Sequence, residues 1–121
     1  MNRFRLDHVQ LAIPRGAEEA CRDFYVRVLG LREIEKPPAL AARGGLWVGS
    51  DAMQIHLGVE DEFRPAKRAH PGIEVTDVDG LAARLAQHGI AVMWDEELPG
   101  YRRFYTVDAV GNRLEFLSPL T

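Results

Sequence analysis

At 121 residues with a formal charge of −3, the chain is long enough for one domain with a real core and too short for two comfortable ones. Hydrophobic residues make up 46% and charged residues 27%, an ordinary composition for a globular protein. The mild charge, without basic clusters interleaved with aromatics, argues against nucleic acid as a partner, and no apolar run approaches the length of a membrane span.

The N-terminal stretch "MNRFRLDH" has no apolar signal-peptide core, and the single Cys21 allows no internal disulfide, so a reducing cytoplasm is expected. From Arg5 to Ile13, "RLDHVQLAI" alternates as a half-buried strand, with Val9, Leu11 and Ile13 on one face and His8 and Gln10 on the other. "PRGAEEACRDFYVRVLG" then has helical spacing, acidic Glu18 and Glu19 in its first turn, and Gly30 as its stop. Cys21 falls on the apolar side of that helix with Phe24 and Val28, a packing position. "LREIE" reads as a strand, and "KPPALAARGG" as an irregular connection whose prolines forbid a central strand. "GLWVGS" and "AMQIHLGV" are two further strands around a turn at Ser50-Asp51. In the second of them Gln54 and His56 share one face, and Met53, Ile55 and Leu57 take the other.

Residues 60–69 form a charged connector, after which the pattern restarts. "HPGIEV" is predicted as a strand. "TDVDGLAARLAQHG" is predicted as a helix capped by Asp77 or Thr76 and stopped by Gly89. "IAVMW", "RRFYTV" and "NRLEFL" follow as strands. The chain therefore reads as an internal repeat, 1–59 and 70–121, each half β-α-β-β-β, within one domain over 1–121. Sliding the sequence by 62 positions sets His70 on His8, and sliding it by 59 sets Glu115 on His56.

Alternation turns His8, His56, His70 and Glu115 to the polar faces of their strands, while the opposite faces require cover from helices. If the sheets curve about a common hollow, these four residues converge there. Two or three neutral imidazoles and a carboxylate suit a divalent first-row metal with open positions for substrate. The alternative is four separate, hydrated polar positions. His88, before a helix-stopping glycine, is read as a helix-end residue that favours the dipole and does not ligate.

At "LDHVQLAI", "DFYVRVLGL", "HPGIEV" and "DAVGNRLEF" the chain resembles the vicinal oxygen chelate superfamily, which includes glyoxalase I, extradiol dioxygenases, fosfomycin-resistance thiol transferases and bleomycin-resistance proteins. Asp108-Ala109-Val110-Gly111 stands where the common motif has Asp-Pro-Asp-Gly. The resemblance implies an α+β fold of two paired β-α-β-β-β modules forming a cup-shaped mixed sheet with helices outside. It implies a divalent ion (Fe, Zn, Ni or Mn) held by His8, His70 and Glu115, with His56 at the fourth ligand position. In glyoxalase I that position is a glutamate, so His56 argues against glyoxalase I activity itself.

By the same resemblance, Arg103 and Tyr105 face the cup, Arg103 to hold an anionic group and Tyr105 to donate to an oxyanion. Gln10 shares the face of His8. Trp47 would be a flat apolar wall of the site or a packing residue of the core. Arg64, Lys67 and Arg68 in "FRPAKR" would form an anion-attracting lip or a solvated connector.

The functional expectation is a metal-dependent lyase, isomerase, thiol transferase or ring-cleavage dioxygenase that stabilises an oxyanion or enolate of a small chelated substrate. His56 would serve as ligand or as acid–base catalyst. The alternative is a non-catalytic binder of a drug or metabolite. A homodimer is expected, because four-stranded sheets leave edges that need cover and members of the superfamily commonly dimerise.

Overall fold

In each half of the chain, alternating apolar residues require a sheet with one covered face, and the short connections dictate which strands lie side by side. The computed structural model describes residues 1–121 and divides into two units, Met1–Arg64 and Pro65–Thr121.

The first unit runs β1 (Val9–Ile13), α1 (Glu18–Arg22), a π-helical turn (Asp23–Val28), β2 (Arg32–Ile34), α2 (Pro38–Ala41), β3 (Leu46–Gly49) and β4 (Gln54–Val59). Its sheet has the order β1-β4-β3-β2, with β1 parallel to β4 and the other pairs antiparallel. Leu11, Ile13, Leu46, Val48, Ile55 and Leu57 are buried on the sheet, as are Cys21, Phe24, Tyr25 and Val28 from the helical segment.

The second unit runs β5 (Gly72–Glu74), α3 (Val78–Gln87), β6 (Met93–Asp95), β7 (Tyr101–Val107) and β8 (Arg113–Pro119). The order β5-β8-β7-β6 repeats the arrangement of the first unit, again with a parallel pair formed by the first and last strands. Asp77 caps α3 by accepting a hydrogen bond from the Gly80 N–H at 3.0 Å, and Gly89 ends it at φ +74°. Val78, Ala82 and Leu85 are the buried face of α3, and Phe104, Leu114 and Phe116 are the buried apolar residues of the sheet. Asp108 accepts from the N–H groups of Val110 and Asn112, so the turn closes without the proline of the common motif.

The fold is α+β and glyoxalase-like, but several elements differ from the sequence expectation. The first helix widens after one turn, where the Leu29 N–H reaches the Phe24 carbonyl at 2.9 Å. A helical pattern marks which residues turn inward, but not that widening, since Cys21, Phe24 and Val28 are buried either way. The "KPPALAARGG" connection contains the short helix α2, with Pro37 before it and Pro38 at its first position, where a missing N–H costs nothing.

The strands expected over 5–13 and 70–75 are shorter, and His8 and His70 stand just outside them. β1 begins at Val9, opposite Ile55, and β5 begins at Gly72, after Pro71, which has no N–H for a ladder. "IAVMW" is likewise a strand only from Met93 onward.

Gly45 and Glu18 tie the loop before β3 to α1. Gly45 sits at φ +77°, and a Cβ there would lie 2.1 Å from the Leu57 carbonyl oxygen. Its N–H donates to Glu18 Oε2 at 2.8 Å. That bond holds the Glu18 carboxyl below its ordinary range.

Gly45→Ala should therefore destabilise the protein by about 3 kcal/mol in urea unfolding, from positive φ and steric overlap together. A folded-state pKa below the unfolded one gives stability that is present above the ordinary glutamate range and lost as pH falls through the folded value. The stability advantage of wild type over Glu18→Gln should thus be full at neutral pH and shrink below about pH 4.3. A constant difference across that range would contradict the role given to Glu18.

Candidate functional site

Each unit brings its first histidine beside the polar residue of its last strand, because those strands pair in parallel. In the first unit Gln10 pairs with His56, and in the second Gly72 pairs with Glu115. The antiparallel neighbour adds an aromatic residue to each set, since Trp47 pairs with His56 and Tyr105 with Glu115. His8, His56 and Trp47 in one unit thus correspond to His70, Glu115 and Tyr105 in the other.

In the first unit the three rings stack. Trp47 lies on His56 with centroids 3.9 Å apart and planes 5° from parallel, and His8 lies on His56 at 4.0 Å and 15°. His56 is buried, and its Nε2–H donates to Gln54 Oε1 at 2.9 Å. Burial holds its pKa below the ordinary histidine value, which favours the neutral ring. His8 is exposed and donates its Nδ1–H to Asp7 Oδ2 at 2.8 Å. The stack forms part of the wall of a cavity of about 510 Å³ that also includes Gln10 and Gly58. A Cβ on Gly58 would lie 2.7 Å from Gln10 Nε2, so the glycine leaves room for that amide.

In the second unit His70 donates its Nδ1–H to the Arg68 carbonyl at 2.7 Å, and its Nε2 lies 3.0 Å from Glu115 Oε1. The other carboxylate oxygen of Glu115 accepts from Arg103 Nη1 at 3.1 Å. Arg103 Nε also donates to Asp95 Oδ2 at 2.7 Å, so one guanidinium lies between two carboxylates. Tyr105 meets His70 edge-on with centroids 5.4 Å apart and carries the Arg113 guanidinium 4.1 Å from its ring centroid.

A metal can be tested against this donor set. An imidazole ligates through an unprotonated nitrogen whose lone pair lies in the ring plane, and its other N–H is commonly tied to an oxygen. His8 and His70 both have Nδ1–H tied in this way, which leaves Nε2 as the ligating atom. His70 Nε2 and Glu115 Oε1, 3.0 Å apart, are within ordinary hydrogen-bond distance. As donor types, the imidazoles of His8 and His70 and the carboxylate of Glu115 suit a divalent ion.

His56 is arranged differently. Its Nε2 carries the proton, and stacked rings direct the in-plane lone pairs of His8 and His56 side by side, not at one point. Within neither unit do three His, Cys, Asp or Glu side chains gather as ligands. His88 donates its Nδ1–H to the Arg84 carbonyl at the end of α3, a helix-end role.

Residues 5–116 match the family model of the Glyoxalase/Bleomycin resistance protein/Dioxygenase superfamily, and the chain belongs to that superfamily. It is 44% identical to a glyoxalase-family protein of Bacillus anthracis, over 98% of this chain and 99% of that one, with a TM-score of 0.93. An antibiotic-binding protein from a Streptomyces species shares 24% identity over 97% of this chain and 99% of its own, with a TM-score of 0.74. A glyoxalase/dioxygenase from Nostoc punctiforme shares 22% over 93% and 90%, with a TM-score of 0.73. The last two likenesses are of fold alone. A comparison with proteins of curated function finds no match.

Arg103 was not legible as a bridge, because its two carboxylate partners lie on different neighbouring strands. Arg103→Met should lower the urea midpoint by stranding the buried Glu115, and adding Glu115→Leu should restore part of the loss. An unchanged midpoint in the single variant would show that the bridge carries no stability.

Proposed function

We propose that the protein is a metal-dependent enzyme that acts on a small substrate with two vicinal oxygens, its divalent ion held by His8, His70 and Glu115. The observation that carries this reading is that both histidines have Nδ1–H bound to an oxygen, so that Nε2 is the nitrogen an ion would take, in His70 beside Glu115 Oε1. The ion, when bound, supplies Lewis-acid stabilisation of a developing oxyanion or enolate.

The remaining roles belong to side chains. Trp47 is the flat wall of the cavity, and Gln10 offers an amide to substrate oxygen. Tyr105, held between His70 and Arg113, is the phenolic donor to the oxyanion. His56 is neutral, with Nε2–H fixed on Gln54, so Nδ1 is its basic nitrogen and acid–base work suits it better than ligation. The unit that works is a homodimer, with a mass in solution twice the 13.6 kDa of one chain. That assignment rests on the open sheet edges at β1, β2, β5 and β6.

One observation favours a second reading, a binder like the Streptomyces protein in fold. Arg103 already gives the Glu115 carboxylate a cationic partner, so its burial is satisfied without an ion.

Metal reconstitution separates the two readings. After reconstitution at neutral pH, elemental analysis should find about one divalent ion per chain, lost as pH falls through the histidine range near about 6.5. Glu115→Ala should weaken retention at least roughly tenfold, since deleting a ligand costs no less than deleting its supporting contacts. A metal-free protein after reconstitution would favour the binder.

The metal-loaded enzyme should also show negligible turnover of the methylglyoxal–glutathione hemithioacetal, because a neutral imidazole at position 56 replaces the carboxylate that carries the proton in glyoxalase I. Efficient turnover would overturn that assignment.

A further inference from the structure

We propose that the cavity of the first unit takes a flat, conjugated carboxylate, stacked on the Trp47–His56–His8 column with its charge held by Lys36 and Arg43. This deepens the functional reading above and rests on it for the site, but its own support lies in the wall of the cavity.

Shape comes first. One face of Trp47 is covered by His56 at 3.9 Å and 5°, and the indole is only half-buried where it meets the cavity. A further flat ring would extend an existing stack by one layer, whereas a puckered saturated ring meets the indole with less contact. Leu40 and Val59 give apolar sides to the same space. Its volume of about 510 Å³ lies within the size range of small-molecule sites.

Charge comes second. Lys36 and Arg43 both line the cavity, and no aspartate or glutamate does. In a chain of net charge −3, a wall with two cations and no acid runs against the overall sign, which concentrates anions at that wall. Neither cation is in an ion pair. Lys36 donates to the Gly44 carbonyl, which positions the ammonium and leaves two of its three N–H donors for a ligand. The carboxylate that touches this loop, Glu18, is engaged by the Gly45 N–H. Both cations come from the 36–45 connection, which looks like a plain linker in the sequence.

The test uses calorimetric titration of three probes at neutral pH and low salt: 2-naphthoate, the neutral 2-naphthamide and the saturated decahydronaphthalene-2-carboxylate. Naphthoate should bind about tenfold tighter than either comparator, the amide lacking the charge and the saturated acid the stacking face. Arg43→Gln should bring naphthoate and naphthamide to within about twofold, and Trp47→Leu should do the same for naphthoate and its saturated analogue. Arg43→Gln keeps the Lys36–Gly44 bond, and thermal melts matching wild type would show that the loop stays in place.

Equal affinity for the three probes, or an unaltered preference in a folded Arg43→Gln, would overturn the proposal. Each titration is run metal-free and metal-loaded. A carboxylate preference that appears only with metal and ignores Arg43 would assign the charge to the ion, overturning this inference and leaving the metal reading intact. A preference present without metal, in a protein that retains none, would uphold the inference and sink the metal reading.

Discussion

The parallel pairing of the first and last strands of each unit is the constraint on which the candidate site depends. It sets Gln10 opposite His56 and Gly72 opposite Glu115, and so brings the residue at the head of the first strand beside a polar residue of the last. A slip of one residue would turn His56 or Glu115 to the opposite face of its sheet. The buried neighbours Ile55 and Leu57, Leu114 and Phe116, prevent that slip, because they would be carried out of the core with it. The hydrophobic core thereby determines where the ionisable groups stand.

Given that placement, local hydrogen bonds decide what each histidine can do. His8 and His70 lie just outside the strands, where neighbouring oxygens of Asp7 and Arg68 can capture Nδ1–H. His56 lies within a strand, stacked between Trp47 and His8, with its proton on Nε2 and its charge disfavoured by burial. Three histidines of one residue type thus divide into two potential ligands and one neutral base. Glu115 is the counterpart of His56 in the second unit, and there a carboxylate is compatible with burial because Arg103 and His70 share it.

Much of this was legible in the sequence, and the limits have physical reasons. Asp77 and Gly89 marked α3 because a cap and a positive-φ stop are local chemistry. The facing of Gln54, Ile55, His56 and Leu57 followed from strand alternation, although His56 is as buried as its apolar neighbours. The repeat was legible from His8 with His70 and His56 with Glu115, and the strand orders of the two sheets are equivalent. The widened turn at Asp23–Val28 was hidden because both helical periods bury the same residues. The strand ends after His8 and His70 were hidden because the alternation continues through both histidines. The bridge from Arg103 to Asp95 and Glu115 needed two strand registers at once. Lys36 and Arg43 were missed because a proline-rich connection carries no periodicity to reveal which residues turn toward a cavity.

The roles proposed for the imidazoles depend on where their protons sit, and that pattern is directly measurable. Long-range proton–nitrogen correlation spectra of the metal-free protein, recorded above the histidine titration range and assigned with single-histidine variants, report the tautomer of each ring. The expected result is Nδ1–H with unprotonated Nε2 for His8, and Nε2–H with unprotonated Nδ1 for His56. A proton on Nε2 of His8 would contradict the metal reading, because that ring would then not offer the nitrogen on which the site depends.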